Sequence, residues 1–268
     1  MNITFLVNRD LHACVALNLL RPLFEKHRIT IFLSEKVGVP KSNWSPCESL
    51  QQLKFLEQTL FNQVITPLAA KQSSKEARFL TFSELSEQCH SMSVLENINK
   101  PEGLEIFSDS EPELVISIRF GKIIKEPVIA VPKLGVINLH SGLLPEYQGI
   151  LTTLHALNAD EEQVGCTLHY IDSGDIDTGE IINTASLQVD KTRSLFWHVA
   201  QLYPLGTKMI IDAVQVFDDD ERPKSYSQDV SRQAYFGLPE AEHFELVRQK
   251  GFDIYQSQDV IELYQRFI

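Results

Sequence analysis

The feature that most constrains the fold is an alternation of strand and helix patterns at the start of the chain. Residues 2–7 and 28–33 are β-branched and aromatic runs typical of buried strands. Between them, residues 10–27 carry apolar side chains at helical spacing, with Asp10 as a candidate N-cap. This pattern predicts the β-α-β opening of a parallel sheet. We therefore expect an α/β protein with a Rossmann-like, mostly parallel, twisted sheet and helices on both faces.

Later segments extend this prediction and suggest a short C-terminal extension. Strands are predicted over 113–120, 135–140, 164–171 and 180–189, and helices over 50–61, 151–159, 194–217, 240–250 and 258–267. Residues 34–48 are loop-like, and residues 104–107 are either a short strand or a loop contact. We place the main domain at 1–218 and the extension, packed on the core, at 219–268. In the extension, Tyr235 and Phe236 either pack back on the core or help to wall a ligand pocket.

Composition and charge argue against several functional classes. The net charge of −12, without clusters of Lys and Arg, argues against a nucleic-acid partner. No apolar run is long enough to span a membrane, and no basic region precedes a hydrophobic stretch at the N-terminus, so a cytoplasmic location is expected. The four cysteines are scattered, which predicts neither disulfides nor a metal site.

The candidate functional stretch runs from residue 135 to residue 179. Asn138 and His140 lie two apart in a strand pattern, so they share one face, and a loop rich in Gly and Pro follows at once. They therefore lie at the carboxyl end of a strand, where α/β sheets bind ligands. The acidic turn at 172–179 could bring a carboxylate to His140 and favour the charged form of its imidazole.

These motifs resemble the 10-formyltetrahydrofolate-dependent formyltransferases, and similarity to that family extends over residues 114–189. The pattern is an Asn-x-His, a Leu-Leu-Pro-x-Tyr-x-Gly loop and a later Asp-x-Gly, present here as Asn138-Leu-His140, residues 143–149 and Asp177-Thr-Gly179. Two differences lie in the loop: Ser141-Gly142 reverses a common order, and Gln148 stands where Arg is frequent. The resemblance implies the formyltransferase fold and makes residues 1–218 the catalytic domain.

The resemblance also implies the chemistry and a catalytic trio. An acceptor amine attacks the formyl carbon of 10-formyltetrahydrofolate, and fixed hydrogen-bond donors favour the oxyanion that develops. Asn138 and protonated His140 would be those donors, while Asp177 would hold the imidazolium and help to remove the amine proton. One extra residue between His169 and Asp177 leaves Asp172 and Asp175 as rival carboxylates.

Further site residues are carried over or placed by position. The residues expected near the folate are Phe120, Lys122, Ile124, Leu143, Pro145, Ile171, Asp172 and Asp175. The residues expected near the acceptor are Asn8, Arg9, Tyr147 and His169, the first two following the opening strand. Asn8 and Arg9 could equally form a solvated turn beside a helix cap.

The acceptor is the least constrained part of the prediction. The first loop, Asn8-Arg9-Asp10, lacks the glycines with which glycinamide ribonucleotide formyltransferases hold a phosphate. An amino sugar on a nucleotide is the first choice, and another small amine or hydroxylamine is the nearest rival. Three further functions compete with formyl transfer to an amine: a 10-formyltetrahydrofolate hydrolase, a folate-binding protein without turnover and a plain nucleotide-binding module. A homodimer stays open.

Overall fold

The computed structural model describes residues 1–35, 45–71 and 78–268, and these residues are built around one seven-stranded sheet. Most of the predicted loop at 34–48 lies outside the described residues. The nine strands, seven in this sheet and two in a smaller one, are β1 (Asn2–Asn8), β2 (Arg28–Ser34), β3 (Ser91–Val94), β4 (Leu114–Ile118), β5 (Val136–His140), β6 (Gln148–Gly149), β7 (Gln163–Ile171), β8 (Ile181–Gln188) and β9 (Tyr235–Phe236).

The main sheet is parallel in one part and antiparallel in the other. Its strand order is β3-β2-β1-β4-β5-β7-β8, and the first five strands of that order are mutually parallel. β7 and β8 are added antiparallel to β5. Strands β2 and β4 lie on opposite sides of β1, so the order of connections reverses there, as at ligand-binding crevices of open α/β sheets. The predicted mostly parallel sheet is confirmed.

Helices cover both faces of the sheet, as predicted. Their bounds are α1 (Leu11–Leu19), α2 (Arg21–Phe24), α3 (Glu48–Lys54), a π-helix (Phe55–Ile65), α4 (Thr66–Ala69), α5 (Phe82–Ser86), α6 (Pro101–Ser108), α7 (Glu126–Ile129), α8 (Thr152–Asn158), α9 (Leu195–Asp218), a 3-10 turn (Val230–Arg232), α10 (Ala241–Gln249) and α11 (Ser257–Tyr264). Among these described segments, none is a helix both long and apolar enough to cross a membrane.

The two faces of the sheet differ in the size of their apolar layers. Alternation along β1 sends Phe5 to one face and Leu6 to the other. The face of Phe5 packs against α1 and α9 and forms the main core, which also takes in Phe244 and Phe267 of the C-terminal extension. The face of Leu6 packs against the shorter α6 and α7 in a smaller core.

Several local predictions needed correction. Residues 104–107 are neither strand nor loop but part of α6, whose Pro101 is pre-set for a first helical turn and whose Phe107 is buried beside Phe32. The helix predicted at 10–27 ends at Leu19, and the separate short helix α2 begins at Arg21 with Pro22 in its first turn. The helix predicted at 50–61 begins at Glu48 and continues through the π-helix to Ala69. Strand β3 was not predicted.

Candidate functional site

Two polar side chains end β5 on the face of the smaller core. Asn138 and His140 share the face of Val136, and each lies opposite a residue of β7: His169 faces Asn138, and Thr167 faces His140. Paired residues of antiparallel strands project to the same side, so the β7 side chains join those of β5. The strand pairing therefore brings His169 to Asn138.

His140 is held between a carbonyl and a carboxylate. Its Nε2 lies 2.6 Å from the carbonyl oxygen of Tyr147, which can only accept, so this nitrogen carries a proton. Its Nδ1 lies 3.4 Å from Oδ2 of Asp177. Both ring nitrogens thus have partners within the protein, whereas the sequence predicted a ring free to donate to a ligand. A ligand oxygen would have to replace the Tyr147 carbonyl.

His169 connects the amide of Asn138 to the carboxylate of Asp177. Its Nδ1 donates to the carbonyl of Tyr170 at 2.8 Å, which leaves Nε2 facing the site. That Nε2 is 3.1 Å from Nδ2 of Asn138 and 3.5 Å from Oδ1 of Asp177. A neutral ring accepts from the amide, and a protonated ring donates towards the carboxylate. His169 is almost fully buried, and its predicted contact with an acceptor stays a prediction.

Asp177, and neither of its rivals, supplies the carboxylate at the histidines. Asp172 and Asp175 are exposed, whereas the Asp177 side chain is only 11 % exposed and also accepts from the Gly149 N–H at 2.9 Å. Burial by itself would raise the pKa of Asp177. The charge of His140, the hydrogen bond and charge of His169 and the Gly149 N–H outweigh burial and lower this pKa to about 2. The carboxylate is therefore ionised at neutral pH.

The Asp-x-Gly motif has a local structural reason. Asp177 has φ of 55°, a left-handed conformation in which Asp is better tolerated than most residues. Two residues on, the turn passes directly beneath β7: a Cβ at Gly179 would lie 1.8 Å from the carbonyl oxygen of Tyr170. Only glycine lets the turn come this close and direct the Asp177 side chain towards His140.

The residues predicted to contact the folate lie in four places. Phe120, Ile124 and Ile171 pack with Val136 in the smaller core, and Ile124 is only 4 % exposed. Lys122 is paired with Glu96 at 2.8 Å.

The remaining predicted folate contacts lie in the loop after β5 and in the acidic turn. Leu143 approaches Gly165, and Pro145 is buried with its carbonyl accepting from the Ala234 N–H. Asp172 and Asp175 are exposed in the turn. The apolar group therefore shares a face of the sheet with Asn138, and the acidic turn supplies exposed carboxylates.

The remaining predicted acceptor residues have other partners in this structure. Asn8 is fully buried and bonded to Asp10 and Ser34, so a direct contact with a ligand does not fit. Arg9 is exposed and paired with Glu35. The Tyr147 hydroxyl donates to Glu161 at 2.7 Å, and burial, then the bond and charge of Glu161, raise its pKa.

Sequence reasoning missed a second polar cluster at the same edge of the sheet. Arg119, which follows β4 with φ of 57°, contacts Asp10 at 2.8 Å and Glu57 at 2.5 Å. Glu57 in turn lies 3.4 Å from Nε2 of His12, a ring with no exposed surface. A charged residue directly after an apolar strand was the available signal.

Gln228 and Gln148, which bond the turn of Asp177, were also missed as site residues, although Gln148 was noted as a difference from the family pattern. Within the described ranges, no group of three or more His, Cys, Asp and Glu side chains is arranged to hold a metal ion.

Comparison with known proteins identifies the family. The sequence model of the formyl transferase family matches residues 68–214, more than half of the 268-residue chain. This chain belongs to the formyl transferase family. Among relatives of this family, a methionyl-tRNA formyltransferase of Kosmotoga olearia is 30 % identical over 135 residues, which is 49 % of this chain and 43 % of the relative. The chain thus matches less than half of the length of that relative.

Solved structures of formyltransferases share the fold. The N-formyltransferase of Helicobacter canadensis, solved with folinic acid and dTDP-3-aminofucose, aligns over 100 % of this chain and 80 % of its own, with a TM-score of 0.57 and 15 % identity. Glycinamide ribonucleotide transformylase 1 of Symbiobacterium toebii aligns over 85 % and 94 %, with a TM-score of 0.55 and 12 % identity. Both confirm the predicted formyltransferase fold.

Proposed function

We propose that this protein transfers the formyl group of 10-formyltetrahydrofolate to the amine of a small acceptor. The observation that carries the proposal is the convergence of Asn138, His140, His169 and Asp177 at the end of β5, in a chain of the formyl transferase family. An amide, two imidazoles and an ionised carboxylate can supply the oxyanion stabilisation and the proton transfer that acyl transfer to an amine uses.

Each residue has a role that follows from its contacts. The Asn138 amide, oriented by His169, has a second N–H with which to stabilise negative charge on the formyl oxygen. His140, held at Nδ1 by Asp177, would donate its Nε2–H to that oxygen once the oxygen replaces the Tyr147 carbonyl. The new C–N bond forms as the bond from the formyl carbon to N10 of the folate breaks. One proton therefore passes from the amine to N10, and the His140–Asp177 pair is placed to transfer it.

The apolar side chains beside the trio suit the folate. Phe120, Ile124 and Ile171 lie on the same face of the sheet as Asn138 and His140, so a ring system resting against them would bring its substituent to the polar groups. The folate supplies the activated one-carbon unit. The exposed carboxylates Asp172 and Asp175 would meet polar ring edges rather than the reacting carbon.

For the acceptor we propose an amino sugar linked to a nucleotide. Full-length alignment with an enzyme solved with dTDP-3-aminofucose supports this choice, as does the glycine-free turn after β1. A net charge of −12 disfavours a tRNA acceptor, although the Kosmotoga olearia relative named above is a methionyl-tRNA formyltransferase. A cytoplasmic location and a homodimer stay predictions.

A turnover assay tests the proposal. Purified protein is mixed with 10-formyltetrahydrofolate and one of four partners: a nucleotide-linked amino sugar, a hydroxylamine, methionyl-tRNA or no amine. Formation of tetrahydrofolate is followed by absorbance and of formylated product by mass spectrometry. We expect product with the amino sugar only. Release of tetrahydrofolate without an amine would indicate a hydrolase. Binding of 10-formyltetrahydrofolate without release of tetrahydrofolate under any of the four conditions would contradict the proposed activity.

A matched pair of variants ties turnover to the site. His140→Ala should abolish turnover while the thermal melting curve stays cooperative. His90→Ala removes an exposed histidine that bonds Arg28 and should leave the rate unchanged. Near-normal turnover by His140→Ala would show that this site does not carry out the reaction.

A further inference from the structure

A segment of the C-terminal extension, which we call the closing segment (Tyr226–Phe236), runs beside both loops of the site. At one end, Tyr226 exchanges two backbone hydrogen bonds with Ile181 at 2.9 and 3.0 Å, just after the turn that carries Asp177. At the other end, β9 pairs with β6 in the loop that follows His140. The closing segment therefore connects the His140 loop to the Asp177 turn, and it lies beyond the end of the matched family region at residue 214.

Gln228, in the middle of the closing segment, bonds directly to the turn. Its Nε2 donates to the carbonyl of Asp177 at 2.8 Å and to the carbonyl of Gly179 at 2.7 Å. Gln148 of β6 adds a donor to the same Asp177 carbonyl at 3.2 Å, and its amide lies 3.5 Å from Oε1 of Gln228. Two carboxamides thus hold the backbone whose side chain reaches His140 and His169.

The turn needs such partners because of its conformation. A left-handed backbone is unfavourable at an L-residue, so φ of 55° at Asp177 persists only where its surroundings hold it. Carbonyls in a partly buried turn also lose free energy when they lack a donor. Both hydrogens of the Gln228 amide are used for this purpose.

The neutrality of Gln228 is as important as its two donors. A lysine or arginine in its place would bring a positive charge that competes with the histidines for the Asp177 carboxylate. A glutamate would lose the donors and repel the carboxylate. A carboxamide anchors the backbone and leaves His140 and His169 as the side chains that compensate the Asp177 charge.

We propose that Gln228 is a positioning residue: it fixes the Asp177 turn so that the carboxylate lies between His140 and His169. The inference rests on the proposed formyl transfer for its effect on rate, but its effect on the histidines does not depend on turnover. The extension would then be part of the active site and not only a surface addition.

The test compares three variants with wild type. Gln228→Met keeps the length of the side chain and removes both donors, and Asp177→Asn gives the reference for a disturbed carboxylate. Gln215→Met is the matched control, because Gln215 is exposed on α9 and bonds Asp219. The readouts are imidazole cross-peaks in ¹⁵N-histidine NMR spectra, kcat and the KM for 10-formyltetrahydrofolate.

We expect Gln228→Met to shift the His140 and His169 cross-peaks in the direction seen in Asp177→Asn and to lower kcat at least tenfold. The KM for folate should change less than threefold, and Gln215→Met should match wild type. Unshifted cross-peaks with kcat within twofold of wild type would overturn the inference while the proposed function stands. Shifted cross-peaks in a protein without formyl transfer would support the positioning and contradict the proposed function.

A shorter variant keeps the test decisive if Gln228→Met does not fold. Gln228→Asn retains the amide but withdraws it by one methylene, so it should give a smaller loss of kcat and smaller shifts in the same two histidines. Wild-type rates and spectra in Gln228→Asn, with Gln228→Met unfolded, would show that Gln228 stabilises the fold without positioning Asp177, and would overturn the inference.

Discussion

The sheet edge carries two histidine–carboxylate pairs that are alike in distance and differ in what surrounds them. His140 and Asp177 are 3.4 Å apart, and so are His12 and Glu57. Both carboxylates have a pKa lowered to about 2. At Glu57, burial would raise the pKa, but the charge of Arg119, followed by the charge and hydrogen bond of His12, lowers it.

The arginine makes the difference between the pairs. Arg119 is bound to Asp10, Glu57 and the Tyr203 hydroxyl at once, so that cluster contains a permanently charged cation. Asp177 faces His140, His169 and the Gly149 N–H, and none of these carries a permanent charge as a guanidinium does. The lowered pKa therefore indicates a charge network at both Asp177 and Glu57. Only the network of Asp177 is a candidate for catalysis. We expect the Arg119 cluster to hold the fold and the His140 cluster to act on substrate.

Among the variants that test this comparison, Arg119→Met should have the largest effect. Two buried carboxylates would lose their cationic partner, which should lower the free energy of unfolding by about 3–5 kcal/mol. Urea denaturation at pH 7 measures the change. Arg9→Met, which removes an exposed ion pair with Glu35, should lower the free energy of unfolding by less than about 1 kcal/mol. If the free energy of unfolding falls equally in Arg119→Met and Arg9→Met, Arg119 does not have the structural role assigned to it.

Next in size is the loss of rate in Asp177→Asn. The amide keeps the shape and an acceptor for the Gly149 N–H but loses the charge that holds His140, so kcat should fall about 100- to 1000-fold, or about 2.7–4 kcal/mol. Glu57→Gln is the counterpart in the other cluster and should keep kcat within threefold while its melting temperature falls. A large loss of kcat in Glu57→Gln would mean that the two clusters share the chemistry.

A pH series separates the contribution of Glu57 to stability. Because the folded pKa of Glu57 is about 2 and its ordinary value is 4.5, its stabilisation is full above pH 4.5 and is lost as the pH falls towards 2. The stability difference between wild type and Glu57→Gln should therefore narrow by about 2 kcal/mol between pH 7 and pH 3. Urea midpoints along the series measure it, and a constant difference would contradict the charge network.

The smallest expected effect concerns Gly142, which packs against His140. A Cβ there would lie 2.6 Å from Nε2 of His140 and 2.5 Å from the Tyr147 carbonyl oxygen, so Gly142→Ala must displace one of them. We expect about a tenfold lower kcat and a loss of stability of about 1 kcal/mol, the low end for overpacking. Gly174→Ala in the Asp177 turn meets nothing within 4 Å and is the control. If kcat is the same in Gly142→Ala and Gly174→Ala, a displacement of His140 or of the Tyr147 carbonyl does not affect the reaction.

Much of the architecture could be read from local patterns. Strands such as β1 and β4 are buried on both faces, so their apolar runs are continuous and their predicted ends lie within two residues of the observed ones. The helix α6 was missed because it has only 8 residues, few of them apolar, and includes Gly103. The contact of Gly103 with the Asn97 carbonyl, which requires a residue without a side chain, is visible only in three dimensions.

The candidate site divides in the same way. By itself, the amino-acid sequence determined the parallel sheet, the two-residue spacing that sets Asn138 and His140 on one face of β5, and the family motifs around them, because these depend on neighbours along the chain. The family motif favoured Asp177 and left Asp172 and Asp175 as rivals. Only the tertiary structure shows which of them reaches His140, that Asn8 is buried, and that Gln228 bonds a turn some fifty residues earlier. The physical reason is that those contacts depend on how separate segments pack, and the free energy of that packing is shared by residues far apart in the chain.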